Sequence, residues 1–424
     1  MILIFFSDEW GNQFGGINTF NYSLCTNLRT YIAEEAKTTG LIVATCGVTE
    51  TIKDEFSNVA NVSMLNFSLN DFNDASKVAK ILKKTINTFQ LGTEDRNEIF
   101  CCGHDIITGE VAENCASELN AKSVVFHHMA YKEYYGELAK DETSLLEKIN
   151  KQSTIITNAD IVLGIGPKLE NSAKSIVNLA DANTIVKCMI PGFDGIKTGT
   201  INRNQFTIFF SGRIEPNNDV IKQYGLVVKA FCELLEENRI SHNSQLILCG
   251  IAGEEAEKKI AEIKNSITQK VAYILTFSYL DHEKAINFLR GANVAVMPSF
   301  DEGFGLTGLE AIGAAVPLIL SKNSGLYQFL NAQSLSNHIK SVDISGDDNP
   351  SLEQIKRRLL EIKDDENSCR RSAAELKDAL DEFSWKNIVE RLLKFLSYSK
   401  YDKTTEEKFF EILKNCILFD KGIV

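Results

Sequence analysis

The sequence predicts an α/β protein built from two doubly wound parallel sheets, and three observations support this. Short runs of β-branched and aromatic residues alternate with longer amphipathic stretches, which is the pattern of βαβ units whose sheets are covered by helices. The 424 residues exceed what one hydrophobic core ordinarily organises. The chain is 44% hydrophobic and 24% charged, as expected for a globular protein without low-complexity tracts.

Eleven strands are expected in chain order. The candidates in the first half are Ile2–Phe6, Leu41–Thr45, Val62–Leu65, Glu98–Cys102, Ser123–Phe126 and Ile161–Gly164. Those in the second half are Phe206–Ser211, Gln245–Cys249, Val271–Thr276, Val294–Met297 and Pro317–Leu320. Helical patterns lie between them, for example at Thr19–Ala36, Ser76–Phe89, Tyr224–Glu237 and Glu254–Ser266.

A polar, glycine-containing segment from Pro191 to Asn204 separates the two series of strands. All six prolines lie at junctions between predicted elements, where helix and sheet hydrogen bonds must stop. We therefore predict one domain over residues 1–195, a second over residues 196–385, and C-terminal helices over residues 386–424. In doubly wound domains, ligands bind at the carboxyl ends of the strands.

Composition argues against several partners and locations. The net charge of −12 disfavours nucleic acid, whose phosphates require clustered positive charge. The apolar N-terminus lacks the basic region and cleavage site of a signal peptide, and no apolar run reaches the roughly 20 residues of a membrane span. Ten scattered cysteines without a CxxC motif favour reduced thiols and a cytoplasmic location. The six histidines lack metal-ligand spacing, so no metal site is expected.

The most informative motif follows the strand at Val294–Met297. A polar loop with three glycines precedes a helix, and Glu302 and Glu310 flank the loop with seven residues between them. The free amides and dipole at the start of a helix favour an anion such as a diphosphate. Carboxylates accept hydrogen bonds from sugar and ribose hydroxyls.

The same glycines, Gly303, Gly305 and Gly308, also match the spacing of a dinucleotide-binding fingerprint. That fingerprint requires glycines directly after the strand and an acidic residue about 20 positions later. Here Ser299 to Glu302 intervene, and the next strand ends at Ser321–Lys322. An NAD-dependent oxidoreductase is therefore disfavoured, and a glycine-shaped turn without a ligand is a further alternative.

Taken in order along the chain, these motifs resemble the family-4 retaining glycosyltransferases. Their GT-B architecture has two Rossmann-like, doubly wound parallel-sheet domains facing across a cleft. The E-x7-E signature of the family is similar to Glu302–Glu310. Gly15–Gly16 resembles the glycine-rich first loop of the family, and Ser211–Gly212–Arg213 with Lys222 resembles its phosphate-binding pair. Ile190–Asp194 resembles the hinge, and Phe383–Ser384–Trp385 resembles the C-terminal helix that crosses back to the first domain.

The resemblance implies that the first domain binds the acceptor and the second binds a nucleotide-sugar donor. It assigns Arg213 and Lys222 to the leaving phosphate, Glu302 to the transferred sugar and Glu310 to the ribose. The donor is also expected to contact the loop residues Gly303, Phe304, Gly305 and Leu306.

In the first domain, the resemblance brings Gly15 and Gly16 to the donor or acceptor. It places His128 beside the donor sugar, with His127 close behind it and His104 as a further candidate. It implies no metal ion and no other cofactor.

Three positions depart from the family pattern and bear on nucleotide preference and sugar contacts. Gln223 stands where the family usually has glycine after the lysine, and Ala315 replaces a common glycine before Val316–Pro317. Gln328 stands where an acidic residue is frequent.

The sequence thus predicts a cytoplasmic, metal-independent, retaining hexosyltransferase. Its acceptor, whether saccharide, lipid-linked or protein, and its oligomeric state are left open. The main alternative is a GT-B protein without turnover that binds a ligand or stabilises a partner. An NAD-dependent oxidoreductase and a nucleotide-sugar epimerase are further alternatives.

Overall fold

The computed structural model describes residues 1–12, 14–96, 98–132, 142–193, 196–197, 199, 205–214, 219–251, 274–278, 282–345 and 348–398. The chain forms two compact units. The first comprises Met1–Gly192 together with the C-terminal segment from Phe383, and the second comprises Phe193–Glu382. The predicted boundary segment, Pro191–Asn204, lies only partly within the described residues.

The first unit contains a seven-stranded parallel sheet in the order β3-β2-β1-β4-β5-β6-β7. Its strands are β1 (Ile2–Ser7), β2 (Gly40–Cys46), β3 (Val62–Phe67), β4 (Ile99–His104), β5 (Lys122–His127), β6 (Ile161–Ile165) and β7 (Ile185–Met189). The sequence pattern did not predict β7. It is an edge strand whose central residue is Lys187, so it lacks the continuous apolar run of the inner strands.

The helices of the first unit connect successive strands and cover the sheet. They are α1 (Gly16–Glu34), α2 (Glu50–Phe56), α3 (Leu69–Phe72), α4 (Ala75–Thr88), α5 (Thr93–Arg96), α6 (Asp105–Leu119), α7 (Glu142–Asn158) and α8 (Pro167–Leu179). The central strand β1 has no exposed side chain from Ile2 to Phe6, because helices cover both faces of a doubly wound sheet. The strand order reverses between β1 and β4, which is the place where such sheets bind ligands.

The second unit contains a six-stranded parallel sheet in the order β10-β9-β8-β11-β12-β13. Its strands are β8 (Thr207–Ile214), β9 (Gln245–Ile251), β10 (Ile274–Ser278), β11 (Val294–Met297), β12 (Leu318–Ser321) and β13 (Lys340–Val342). The three-residue β13 was not predicted. The start of the predicted strand Val271–Thr276 and the whole predicted helix Glu254–Ser266 lie outside the described residues.

The described helices of the second unit continue the same alternation. They are α9 (Asp219–Lys222), α10 (Tyr224–Glu236), α11 (His282–Gly291), α12 (Leu306–Gly313), α13 (Gly325–Ala332), α14 (Asp348–Asp364) and α15 (Glu366–Ala379). Here the strand order reverses between β8 and β11, so the loops after these two strands occupy the expected ligand position.

The last described helix, α16 (Trp385–Tyr398), belongs to the first unit. The Trp385 ring lies 5.7 Å from the Phe20 ring of α1, and Lys386 Nζ lies 2.7 Å from Glu35 Oε1. A side chain at Gly192 would approach Trp385 Cα to 2.6 Å, so glycine allows this close packing. Among the helices in the described ranges, none combines the length and apolar character that a bilayer span requires.

Candidate functional site

Two residues predicted to contact the donor lie together at the carboxyl edge of the second sheet. The Lys222 ammonium and the Glu302 carboxylate are 2.5 Å apart, although 80 residues separate them in sequence. Each side chain is only 17% exposed, and Ser299 Oγ donates a second hydrogen bond to Glu302 at 3.1 Å. The predicted phosphate and sugar contacts are therefore neighbours in the fold.

Backbone hydrogen bonds place this pair. The Phe300 amide donates to the Ile221 carbonyl at 2.7 Å, which fixes the loop after β11 beside α9. Asn323 Nδ2 donates to the carbonyls of Phe300 and Ile344 at 2.9 and 3.0 Å. Asn323 could not be identified from the sequence, because its role depends on carbonyls about 20 residues away on either side.

The glycine-rich loop leads into the N-terminus of α12 as expected. Gly305 has φ 112°, a conformation that favours glycine, and its carbonyl accepts the first helical hydrogen bond from Leu309. As at any helix N-terminus, the amides of Leu306 and the two following residues have no carbonyl partner within the helix itself. The Phe304 ring is buried against Phe329, so this predicted donor contact is limited to its backbone.

Glu310 lies within α12 and does not pair with Lys222, the partner of Glu302. Its Oε1 lies 2.8 Å from Nε2 of His282, the first residue of α11, and both side chains are partly exposed. His282 was not predicted from the sequence. A histidine at a helix start carries no specific signal by itself, and its contact with Glu310 spans 28 residues.

Two departures from the family pattern lie at left-handed backbone positions. Gln223 caps α10 with φ 58°, and Ala315 follows α12 with φ 53°. Glycine adopts this conformation without a steric penalty, whereas a residue with a Cβ atom is strained by about 1–2 kcal/mol. The fold therefore keeps the backbone that a glycine favours although the side chain has changed.

The predicted phosphate ligand Arg213 has its backbone in β8, but its side chain lies outside the described part of the structure. The register of β8 against β9 shifts between Ser211 and Ile214. A side chain at Gly212 would lie 3.7 Å from Lys222 Cδ, so this irregular strand end adjoins the Lys222–Glu302 pair.

At the carboxyl edge of the first sheet, Gly15 follows β1 as the N-cap of α1, and Gly16 is the first residue of that helix. Gly15 caps α1 with φ 101° and accepts a hydrogen bond from the Thr19 amide at 2.9 Å. A side chain at Gly15 would meet no atom within 4 Å. Glycine is therefore favoured at this position by its backbone conformation and not by a steric clash.

His104 and His128 form a hydrogen-bonded chain with Asn21 of α1. His104 Nε2 lies 3.0 Å from Asn21 Oδ1, and its Nδ1 lies 3.0 Å from His128 Nε2. Because Asn21 Oδ1 can only accept, a neutral His104 donates from Nε2 and accepts at Nδ1 from His128. Burial lowers the pKa of His104 to about 3 and also holds the pKa of His128 well below its ordinary value.

His127 belongs to a separate network around Asp105. Its Nδ1 lies 2.8 Å from Asp105 Oδ1. Asp105 also accepts hydrogen bonds from the amides of His128 and Met129 at 2.8 and 3.1 Å, and from Gln152 at 3.3 Å. Its own φ of 40° is unusual for a residue with a side chain. His127 Nε2 is buried and has no hydrogen-bond partner among the described residues.

Both sheets therefore present polar side chains and glycine turns at the strand ends where doubly wound folds bind ligands. A comparison with family models matches residues 4–392 to the family described as family 4 glycosyltransferase in conflict systems. The chain belongs to this family. The membership confirms the predicted resemblance and favours glycosyl transfer over NAD-dependent oxidation.

Curated relatives of this family-4 member match a shorter segment. A glycogen synthase of Mycobacterium tuberculosis is 31% identical over 111 residues, which cover 26% of this chain and 25% of that protein. A D-inositol 3-phosphate glycosyltransferase of Streptomyces avermitilis is 30% identical over 126 residues, covering 28% of this chain and 25% of that protein. The matched segment thus spans about a quarter of each relative.

Solved structures share the fold over nearly the whole chain. Sucrose-phosphate synthase from Thermosynechococcus elongatus has a TM-score of 0.70 at 16% identity, covering 93% of this chain and 98% of that one. HepE of Anabaena, solved with UDP and glucose, has a TM-score of 0.66 at 14% identity, covering 94% and 99%. These similarities confirm the predicted GT-B fold class of two parallel-sheet α/β domains.

Proposed function

We propose that this glycosyltransferase moves a hexose-type sugar from a nucleoside-diphosphate sugar to an acceptor hydroxyl with retention of configuration. The bond between the anomeric carbon and the diphosphate oxygen breaks, and a bond from that carbon to the acceptor oxygen forms on the same face. The acceptor proton passes to the leaving phosphate, which yields the glycoside and a nucleoside diphosphate. The reaction needs no metal ion.

The observation that carries this proposal is the Lys222–Glu302 pair beside the N-terminus of α12. Negative charge grows on the leaving phosphate in the transition state, so a fixed cation and helix amides are most effective there. The Lys222 ammonium and the amides after Gly305 supply both, and Arg213 is proposed as the second cation.

Glu302 is suited to bind hydroxyls of the transferred sugar. Its carboxylate is oriented by Lys222 and Ser299, and it can offset the positive charge that develops at the anomeric carbon. Glu310 is proposed to accept hydrogen bonds from the ribose, and His282 fixes the orientation of its carboxylate.

In the first unit, His128 is the proposed contact to the donor sugar. It is half-buried and its ring is held by His104 and Phe20. His127 is the second choice. Its Nε2 has no hydrogen-bond partner within the described residues, but its ring is fully enclosed. Gly15 and Gly16 allow the first loop to approach a ligand closely.

UDP-sugars are the first donors to test, since the Anabaena HepE structures contain UDP or UDP-glucose. Thermal unfolding should be followed with UDP, GDP, ADP, their sugar conjugates and NAD(P). A ligand at 100 times its Kd stabilises the folded state by about 2.7 kcal/mol. We expect one nucleoside diphosphate and its sugars to raise the Tm selectively.

Two variants test the proposed phosphate contact and the proposed ribose contact separately. Lys222→Ala should weaken binding of the nucleoside diphosphate far more than binding of the nucleoside, whereas Glu310→Ala should weaken both. Stabilisation by no nucleotide would favour the alternative of a GT-B protein without turnover. Stabilisation by NAD(P) alone would contradict the proposal.

A further inference from the structure

Large apolar side chains that remain exposed are concentrated in one part of the molecule. Among the described residues there are seven, and all seven belong to the first unit. Five of them follow the strands β3, β2, β1, β4 and β5, with one after each strand: Leu69, Ile52, Phe14, Ile107 and Leu146. We refer to these five residues as the apolar row.

The strand order places the apolar row along one edge of the sheet. The five strands are consecutive neighbours, and all of them are parallel, so their carboxyl ends lie at the same edge. Adjacent strands are about 4.8 Å apart, and four such steps span roughly 19 Å. The residues lie either in the loop after a strand or near the start of the next helix, which is the side of the sheet that also carries Gly15, His104 and His128.

Single exposed hydrophobic residues are ordinary, so their distribution is what matters. The other two lie elsewhere: Ile81 is in the middle of α4, and Leu179 ends α8 at the amino edge of the sheet. The described residues of the second unit include no exposed large hydrophobic residue, although its sheet has the same topology around the switch point. Within the described residues, the apolar row therefore occurs at the carboxyl edge of the first sheet, in the unit to which the family resemblance assigns the acceptor.

Charges near the row distinguish between kinds of occupant. Glu9 lies in the same loop as Phe14. Beside Ile52 in α2, Glu50 pairs with Lys53 at 2.6 Å, and Asp54 is exposed. The whole chain carries a net charge of −12. Acidic groups beside an apolar surface repel an anionic bilayer, whereas they leave the binding of a neutral molecule with an apolar part unopposed.

We propose that the apolar row binds the apolar part of a neutral, amphiphilic acceptor molecule, whose hydroxyl group receives the sugar. The proposal rests on the transfer reaction proposed above and specifies its acceptor: an alcohol or glycoside bearing an alkyl or aryl group, taken from solution, and not a purely polar saccharide.

The test compares the binding of methyl and octyl β-D-glucoside, below the micellar concentration, by isothermal titration calorimetry. A fully buried methylene favours binding by about 0.8 kcal/mol, or roughly fourfold. We expect octyl glucoside to bind at least tenfold more tightly than methyl glucoside. The double substitution Leu69→Ser/Ile107→Ser should remove most of this difference.

Leu179→Ser is the matched control. Leu179 is 89% exposed and Leu69 is 65% exposed, so both substitutions remove an exposed leucine from the same unit, but at opposite edges of the sheet. The control should keep the wild-type ratio of affinities. Equal affinity for the two glucosides, or an unchanged ratio in the double variant, would overturn the proposal.

Two further measurements separate this proposal from the others. Binding to neutral lipid vesicles that is lost in the double variant would assign the row to a membrane and overturn the small-molecule acceptor. Nucleoside diphosphate binding, followed by thermal shift, should be the same in the double variant and the wild type. If octyl glucoside binds through the row but no nucleoside diphosphate binds at all, the transfer reaction fails while the apolar contact stands.

Discussion

The carboxyl edges of the two sheets use polar residues in opposite ways. In the first unit, Asp105, His104 and His127 are buried; Asp105 is hydrogen-bonded to His127, and His104 is hydrogen-bonded to His128. In the second unit, the Lys222–Glu302 ion pair and the hydrogen-bonded pair of His282 and Glu310 lie partly exposed. The same doubly wound topology thus carries an enclosed network at one edge and accessible charges at the other.

This difference follows from what each edge can do chemically. Charges that stabilise a leaving phosphate must be accessible to it, and they act best when the surrounding structure holds them in place. The enclosed His104, held neutral by its lowered pKa, has a fixed tautomer and orientation, so it suits a hydrogen-bonding surface of fixed shape. The comparison predicts that substitutions at the first edge chiefly affect stability, whereas substitutions at the second edge chiefly affect turnover.

The largest expected effect is at Asp105. Asp105→Ala removes the acceptor of four hydrogen bonds and leaves buried donors unpaired. We expect a loss of about 3–5 kcal/mol in the free energy of unfolding. Both tryptophans, Trp10 and Trp385, belong to the first unit, so tryptophan fluorescence during urea unfolding reports on that unit. Asp71→Ala, at an exposed aspartate that pairs with Lys77, is the control and should change the midpoint little.

The next effect tests the second edge. Lys222→Ala should lower the kcat for sugar transfer, or for hydrolysis of the donor when no acceptor is present, by about 100-fold, because one preorganised cation is lost from the transition state. Lys322→Ala is the matched control, since Lys322 also forms a lysine–carboxylate pair in this unit, with Asp343 at 2.8 Å. A loss of less than about fivefold with Lys222→Ala, in a protein that remains folded, would place turnover elsewhere.

A third prediction uses pH to test whether the first edge is enclosed. The pKa of His104 is about 3 in the folded protein and near 6.5 when unfolded, so protonation favours the unfolded state between these values. The contribution is complete above pH 6.5 and is lost progressively as the pH falls towards 3. At pH 5, His104 alone should reduce the stability of the first unit by about 2 kcal/mol relative to neutral pH.

The variant His104→Gln should flatten this pH dependence, measured by tryptophan fluorescence in urea between pH 7 and pH 5. Phe20→Leu is the control, because the Phe20 ring packs against His104 without titrating. It should lower stability at every pH and leave the slope unchanged. Equal slopes in the wild type and His104→Gln would show that His104 is not the group responsible.

The smallest effect concerns backbone strain beside α12. Ala315→Gly should relieve a left-handed alanine at φ 53° and stabilise the protein by up to about 1 kcal/mol after the entropy cost of glycine. The neighbouring Ala314 has φ −82°, so Ala314→Gly should instead destabilise by about 0.5–1 kcal/mol. Calorimetric melting of both variants tests this, and shifts in the same direction would exclude strain at position 315.

Much of this architecture was predictable from the sequence. The inner strands are continuous apolar runs, and the strand–glycine loop–helix motif at Glu302–Glu310 is contiguous, so both could be identified locally. The edge strands β7 and β13 were missed because one contains a central lysine and the other is only three residues long. Histidines at strand ends were also predictable, since the carboxyl ends of parallel strands meet at one edge.

Only the tertiary structure decided which of these residues are partners. The sequence identified Lys222 and Glu302 separately, but the hydrogen bonds of Phe300 and Asn323 bring them together. It placed His127 and His128 side by side, yet successive side chains at a strand end point to opposite sides; His127 ends β5 and bonds to Asp105, whereas His128 follows it and bonds to His104. Periodicity and loop composition are local properties that a sequence carries directly, whereas hydrogen-bond partners depend on strand order and on contacts between distant segments.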